Sequence, residues 1–262
     1  NGKKSILTDP WYFGNVFDNG WSLLYENDIN KIENTLLETD FIWISHEHPD
    51  HFSIPFFKKF KDILIARNIK VIFQKTKDRR VIKFLNLNNI ATIELKQNSY
   101  YEIDKKFKLK IIKSDFYDSA LIVKINDKTI FNLNDCPIED IKDIKNFKKK
   151  YGTCDVLLSQ FSYAAWKGGE ENRKWREDAA KNKLITILNQ ASILEAKFVI
   201  PFASFIYFSN NLNFYLNDSS NKIDDLIKLN KKNKINLIIM QPNEKQEIET
   251  LVQDNQSIEF WK

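Results

Sequence analysis

All three histidines of this chain lie within one six-residue segment, directly after the apolar run 41–45. Side chains alternate between the faces of a strand, so His46 and His48 can point the same way at a strand end. A following turn can then bring Asp50 and His51 to a second point nearby. Imidazole and carboxylate groups together suit zinc, iron or manganese, and four such donors favour two adjacent metal ions over one. The alternative, a polar loop with solvated histidines, is disfavoured because spacing, preceding strand and histidine clustering agree.

The predicted fold class is α/β. The chain has 262 residues, which is enough to bury a sizeable core. Its content of 43% hydrophobic and 29% charged residues is typical of a globular protein. Patterns of strand and helix alternate in both halves, which predicts two mixed sheets packed face to face with helices outside, a four-layer arrangement. The predicted strands are 5–8, 41–45, 71–74, 91–95, 100–103, 107–114, 121–125, 129–133, 156–160, 198–201 and 235–240. The predicted helices are 29–37, 54–62, 78–87, 138–149, 172–195 and 223–231.

One domain over 1–262 is the simplest prediction, because no linker rich in proline, glycine or serine separates the halves. Residues 1–4 have the composition of a hairpin turn, so we expect the other strand of that hairpin to lie before residue 1. The most apolar stretch, 198–208, is far shorter than the ~20 residues that cross a bilayer. No secretory signal pattern is visible at the start.

Composition also bears on location and partners. Two cysteines, Cys136 and Cys154, do not make a disulfide framework, so we expect a cytoplasmic protein without membrane association. The net charge of +5 is compatible with a small anionic substrate. The lysine-rich run 145–150 contains one aromatic residue, Phe147, and is more simply a solvated helix face than a nucleic-acid interface, so nucleic acid is not the predicted partner.

A second carboxylate candidate follows the predicted strand 129–133. Asp135 stands at its end, where a carboxylate is costly to bury unless a metal or strong donors satisfy it. We interpret Asp135 as a ligand that bridges two metal ions. The alternative is an N-cap for a helix from Pro137 onward. The histidine cluster makes the ligand interpretation the favoured one.

Three further aspartates are candidates around this centre. Asp115 follows the predicted strand 107–114, and together with His46 and His48 it would give two histidines and one carboxylate, the ligand set associated with non-haem iron. Asp118, three residues on, is a candidate to support these ligands, although both aspartates are also common in turns. Asp9 ends the first strand and could accept the second ring N–H of a ligating histidine. Turn formation by Asp-Pro is its alternative.

These motifs resemble the metallo-β-lactamase superfamily. The sequence His-Glu-His-Pro-Asp-His at 46–51 matches its His-x-His-x-Asp-His signature, and Asp135 falls where that superfamily places its bridging aspartate. The resemblance spans nearly the whole chain and is closest to the branch of the ascorbate-phosphate lactonases and the CMP-N-acetylneuraminate hydroxylases. The segments that carry this closer resemblance are 6–11, 19–23, 132–136 and 201–205.

The resemblance implies an αββα sandwich with the site at one edge between the sheets. It also implies a metal-dependent hydrolase acting on a small anionic substrate, phosphorylated or a nucleotide-linked sugar. The residues that would hold the metal and its hydroxide are His46, His48, Asp50, His51 and Asp135, with Asp115 completing the first site. Of these, Asp50, His51 and Asp135 are the predicted catalytic residues. A metal lowers the pKa of bound water toward ~7, so hydroxide is available at neutral pH. The alternatives are a non-haem iron or di-iron oxygenase of the sialic-acid hydroxylase type, and a binding protein with a degenerate metal site.

The chain also departs from the superfamily pattern. Hydrolytic members normally supply a histidine where Asp115 stands and another late in the chain, where Asn210 is the candidate replacement. Asparagine is a neutral and weaker ligand, so we expect one or two divalent ions, with the second held loosely. Zinc and iron are the favoured metals and manganese is a further option. There is no Cys-x-His pattern of an iron–sulfur module, so oxidative chemistry would take electrons from a separate protein or from the substrate.

Overall fold

The computed structural model describes residues 4–114 and 118–262 and divides the chain into two compact units, Asn1–Asn126 and Asp127–Lys262. Each unit combines helices with strands, which confirms the α/β class. The prediction of one domain over 1–262 stays a prediction. Asp115 and most of the predicted opening turn, residues 1–3, lie outside the described residues.

In the first unit, helices are interspersed among the strands up to α4, and four consecutive strands follow. The elements are β1 (Ile6–Thr8), β2 (Trp21–Leu23), α1 (Ile29–Leu37), β3 (Phe41–Trp43), α2 (Ile54–Lys59), α3 (Lys61–Ala66), β4 (Lys70–Gln74), α4 (Arg80–Leu87), β5 (Thr92–Leu95), β6 (Tyr100–Asp104), β7 (Phe107–Lys113) and β8 (Ser119–Ile125). The predicted helix 54–62 is interrupted at Phe60, whose backbone leaves the helical region at φ −101° and ψ 13°.

A four-stranded parallel sheet, in the order β1-β3-β4-β5, carries the core of this unit. Helix α1 begins after Asp28, whose side chain accepts a hydrogen bond from the backbone N–H of Asn30. Ser53 caps α2 in the same way by accepting from Phe56. The helices pack apolar side chains against Ile42 and the neighbouring strands. Three further strands, β6, β7 and β8, are antiparallel neighbours in chain order.

The second unit begins with β9 and contains the longest helix of the described chain. Its elements are β9 (Lys128–Asn134), α5 (Ile141–Tyr151), β10 (Val156–Ser159), a 3₁₀ turn (Glu170–Asn172), α6 (Arg173–Ile193), β11 (Phe198–Pro201), β12 (Ile206–Phe208), a 3₁₀ turn (Phe214–Ser219), α7 (Ile223–Asn233), a 3₁₀ turn (Ile248–Thr250) and α8 (Asn255–Phe260). Strands β9, β10 and β11 are parallel neighbours, with β10 in the middle.

The predicted strand 235–240 is wrong. Within it, Leu237 makes only an isolated bridge with Val199, and its N–H turns back to the carbonyl of Ile235. The side chain of Gln253 hydrogen-bonds both the N–H and the carbonyl of Ile239, so an amide side chain occupies the place of a neighbouring strand. In the described part of the chain, no helix combines the length and apolar character needed to cross a membrane.

Candidate metal centre

The candidate centre of the first unit lies at the carboxyl ends of β1 and β3. These strands are parallel neighbours with Thr8 opposite Trp43, so the residues that follow them meet at one sheet edge. Asp9 donates its N–H to the carbonyl of Trp43 at 3.0 Å, and its Oδ1 accepts from the N–H of Ser45 at 2.7 Å. Asp9 has φ 42°, a left-handed conformation that aspartate tolerates better than most residues. The two strand ends are therefore tied together by one carboxylate.

The histidine segment folds into a turn after β3. The carbonyl of His48 accepts from the N–H groups of His51 and Phe52, at 3.0 and 2.7 Å. Ser53 then caps α2, so the turn is held between a strand end and a helix start. This arrangement brings polar side chains of residues 46–51 together at the sheet edge.

The first donor group contains two histidines and one carboxylate. His46 Nε2 lies 2.8 Å from His48 Nδ1 and 3.7 Å from Asp118 Oδ1. The His46 side chain is 2% exposed, so its nitrogen faces these two groups rather than solvent. Asp118 immediately precedes β8. Two imidazole nitrogens and one carboxylate oxygen that occupy one face of a metal ion form a ligand set of non-haem iron.

The second donor group is the pair of Asp50 and His51. Asp50 Oδ2 lies 3.2 Å from His51 Nε2, and Asp50 Oδ1 is buried with no hydrogen-bond partner among the described residues. A buried carboxylate oxygen in this state is costly, and a cation would satisfy it. His46 and His51 each offer a ring nitrogen within 4.8 Å of the other. The donors therefore fit one or two divalent cations.

Two buried groups hold the other edges of the histidine rings. His51 Nδ1 lies 3.0 Å from Asp9 Oδ2, and the hydroxyl of Ser45 lies 3.0 Å from His46 Nδ1 and 3.2 Å from His51 Nδ1. Acceptors at Nδ1 favour the tautomer that leaves a lone pair on Nε2, the atom that a metal would take. The carbonyl of Ser45 accepts from the Ser119 hydroxyl at 2.6 Å, which links this loop to β8.

Asp135 lies in the second unit, directly after β9. Its N–H donates to Asn134 Oδ1 at 2.5 Å, and Asn134 has φ 47°. The alternative role as a helix cap is wrong, because α5 begins at Ile141 with Asp140 at the N-cap. The role of Asp135 as a bridging ligand stays a prediction.

Asn210 also lies in the second unit, after β12. Its Oδ1 accepts from the N–H of Leu212 at 2.9 Å, and its own N–H donates to Asn213 Oδ1 at 3.1 Å. These contacts give it a role in a local turn, and its predicted place beside the metal stays a prediction. The sequence did not single out Ser45 or Ser119, because a serine after a strand carries no signal of its own.

This chain has the metallo-β-lactamase fold. A crystal structure from Veillonella parvula, described as a possible metal-dependent hydrolase, is similar with a TM-score of 0.61, 13% identity, and coverage of 92% of this chain and 91% of that one. In sequence, the chain is 26% identical to the cytidine monophosphate-N-acetylneuraminic acid hydroxylase of Danio rerio over 240 residues. The aligned region covers 84% of this chain and 38% of the hydroxylase, so the chain spans well under half of that relative.

CmlA, a di-iron β-hydroxylase from Streptomyces venezuelae, has a similar fold, with a TM-score of 0.50, 10% identity, and coverage of 76% of this chain and 43% of CmlA. No family model matches the chain. The predicted resemblance to the metallo-β-lactamase superfamily, and to its hydroxylase branch, is confirmed.

Proposed function

We propose that this chain is a metal-dependent enzyme that binds iron and hydroxylates a small anionic substrate. The observation that carries the proposal is the group of His46 Nε2, His48 Nδ1 and Asp118 Oδ1, with separations of 2.8 and 3.7 Å. A set of two histidines and one carboxylate is the facial ligand set of non-haem iron oxygenases and is also used by hydrolytic zinc enzymes, so the choice of iron depends on the relatives. The sequence similarity to hydroxylases, over 84% of the chain, supports the same chemistry.

In this proposal, His46, His48 and Asp118 hold the first ion. Iron held by these residues would activate dioxygen. Asp9 accepts the Nδ1 proton of His51, and the buried Ser45 hydroxyl lies beside the Nδ1 atoms of His46 and His51. These two rings therefore keep the tautomer that leaves Nε2 available to a metal.

Asp50 and His51 are proposed ligands of a second ion, with Asp135 as the ligand shared by both. One oxygen atom of dioxygen goes to the substrate carbon and the other leaves as water, so each turnover needs two electrons and two protons. We propose that a separate electron-donor protein supplies the electrons. The substrate class is a phosphorylated or nucleotide-linked sugar, which agrees with the net charge of +5 and with the substrate that the relatives are named for.

A metal-dependent hydrolase is the second candidate. It is favoured by the similarity to the Veillonella parvula protein, which covers 92% of the chain. The metal would then supply a hydroxide nucleophile, with Asp50, His51 and Asp135 around it. A binding protein with a degenerate site is the third candidate and would need no catalytic metal.

Metal analysis with an oxygen-uptake assay separates these three functions. The protein is loaded anaerobically with ferrous iron or with zinc, and then given cytidine monophosphate-N-acetylneuraminic acid and a chemical reductant. We expect stoichiometric iron and oxygen uptake that depends on the substrate. Zinc binding with hydrolysis and no uptake would support the hydrolase instead. If the protein binds no stoichiometric metal and its melting temperature is unchanged by chelator, both proposed enzymatic functions are contradicted.

The support given by Asp9 can be tested with an isosteric substitution. Asp9→Asn keeps the size and tolerates φ 42°, but the amide no longer offers a charged acceptor to His51 Nδ1. We expect metal affinity to fall about 10- to 100-fold while the fold is retained. The control is Asp40→Asn, where the carboxylate contacts Lys4 and the N–H of Ser5 at the other end of β3. Equal loss of metal affinity in both variants would contradict the role of Asp9.

A further inference from the structure

The second unit contains a cleft that the proposed metal chemistry does not use. It lies between α6, α7 and the turn Phe214–Ser219, and its volume is about 790 Å³. Small-molecule sites are typically about 300–1,000 Å³ in volume. None of the predicted metal ligands lines it. Its lining includes the lysines Lys181, Lys222, Lys228 and Lys232.

The charge of the cleft comes from these lysines. In the described part of the chain, none of the four forms an ion pair, whereas two of the three carboxylates in the lining pair with arginines. Glu177 pairs with Arg173 at 3.1 Å and Asp218 pairs with Arg176 at 2.7 Å. Asp225 accepts from the backbone N–H of Lys222 at 2.9 Å and keeps its negative charge, so one unpaired carboxylate stands against four lysines. The free charge facing the cleft is therefore positive.

One turn in the lining of the cleft is held by hydrogen bonds within the protein. Asn221, in the turn that leads into α7, donates its N–H to the Ser162 hydroxyl at 2.9 Å. Its side-chain amide donates to the carbonyls of Phe161 and Ala180 at 2.8 and 2.6 Å. Such a turn loses little conformational freedom when a ligand binds, so ordering it costs little binding free energy.

The cleft also has an apolar wall. Ala180, Leu184 and Leu229 lie among the lysines. An ammonium group is a compact charge with three donors and binds phosphate oxygens well. A ligand that satisfies both features carries linked phosphates at one end and an apolar or aromatic group at the other.

We propose that this cleft binds a small molecule of the nucleoside diphosphate class, with the lysines on the phosphates and the leucines beside the base. The site does not depend on the metal centre, so its test is performed with a chelator present. Binding of inorganic pyrophosphate and of ADP to the full chain is measured by calorimetry at low and at high salt.

The cleft variant is the double substitution Lys181→Gln and Lys228→Gln. Its matched control is Lys142→Gln with Lys145→Gln, which removes the same charge from α5. We expect saturable binding of both ligands, with ADP the tighter. The cleft variant should bind about tenfold more weakly and the control within about twofold. High salt should weaken binding to the wild type.

Melting curves show whether each variant folds. The proposal is overturned if neither ligand saturates the wild type at millimolar concentration, or if both double variants lose affinity equally. It is also overturned if ADP binds no tighter than pyrophosphate, because the apolar wall then contributes nothing. A loss of metal or of oxygen uptake in other experiments leaves these outcomes unchanged.

Discussion

Replacement of Asp50 with asparagine is expected to remove one ion from the centre and to lower turnover at least about 100-fold. Asp50 Oδ1 is buried and has no hydrogen-bond partner among the described residues, while its Oδ2 lies 3.2 Å from His51 Nε2. Asparagine keeps the shape of the side chain but loses the charge that binds a cation. The affinity therefore falls without a change in packing.

The effect is measured as metal content after dialysis and as melting temperature with and without chelator. A ligand that binds only the folded state raises stability in proportion to the logarithm of its concentration over its dissociation constant. The wild type should therefore melt at a lower temperature after chelation, and Asp50→Asn should respond much less.

Glu47→Gln is the matched control. Glu47 lies in the same six-residue segment, but its carboxylate pairs with Arg80 at 2.6 Å. Removing this charge should leave metal content and turnover within about twofold of the wild type, because exposed ion pairs contribute little. Full metal content in Asp50→Asn, or an equal loss in Glu47→Gln, would contradict Asp50 as a ligand.

Local sequence was sufficient for the part of the centre that lies at strand ends. The apolar run 41–45, the motif at 46–51 and the cap at Ser53 are contiguous, so one strand, one turn and one helix start position four polar groups. The helix Ile29–Leu37 was likewise predictable, because it has a capping aspartate before it and apolar residues at helical spacing.

Contacts between distant segments could not be predicted in this way. Ser119 and Ser45 are 74 residues apart, and their hydrogen bond depends on the register that pairs Lys113 with Ser119. The same register places Asp118, which immediately precedes β8, beside His46. A sequence pattern gives the alternation of a strand but not its register against a neighbour, which is set by turn geometry and packing.

Replacement of Arg176 with methionine is expected to lower the free energy of unfolding by about 3 kcal/mol. The Arg176 side chain is 1% exposed, and its guanidinium donates to both carboxylate oxygens of Asp218 at 2.8 and 2.7 Å. It also donates to the carbonyls of Gly169 and Glu170, at 2.6 and 3.0 Å, and lies 5.1 Å from the Tyr215 ring. Methionine fills part of the space but leaves these acceptors unpaired.

Lys174→Met is the matched control on the same helix. Lys174 forms an exposed pair with Asp178 four residues on, at 2.6 Å. Exposed pairs of this kind contribute little to stability, so this variant should unfold at almost the same denaturant concentration as the wild type. A comparable loss of stability in both variants would contradict the role of the buried pair.

The acid dependence of unfolding adds a second measurement. The hydrogen bonds from Arg176 hold the pKa of the Asp218 carboxyl below its usual range. A carboxyl whose pKa is lower in the folded chain stabilises the fold fully above its unfolded pKa of about 4, and this stabilisation is lost as pH falls through the folded value. The stability difference between wild type and Arg176→Met should therefore be largest near neutral pH and shrink below about pH 4. A difference that stays constant across this range, in denaturant titrations at matched ionic strength, would show that lost packing rather than the ion pair causes the destabilisation.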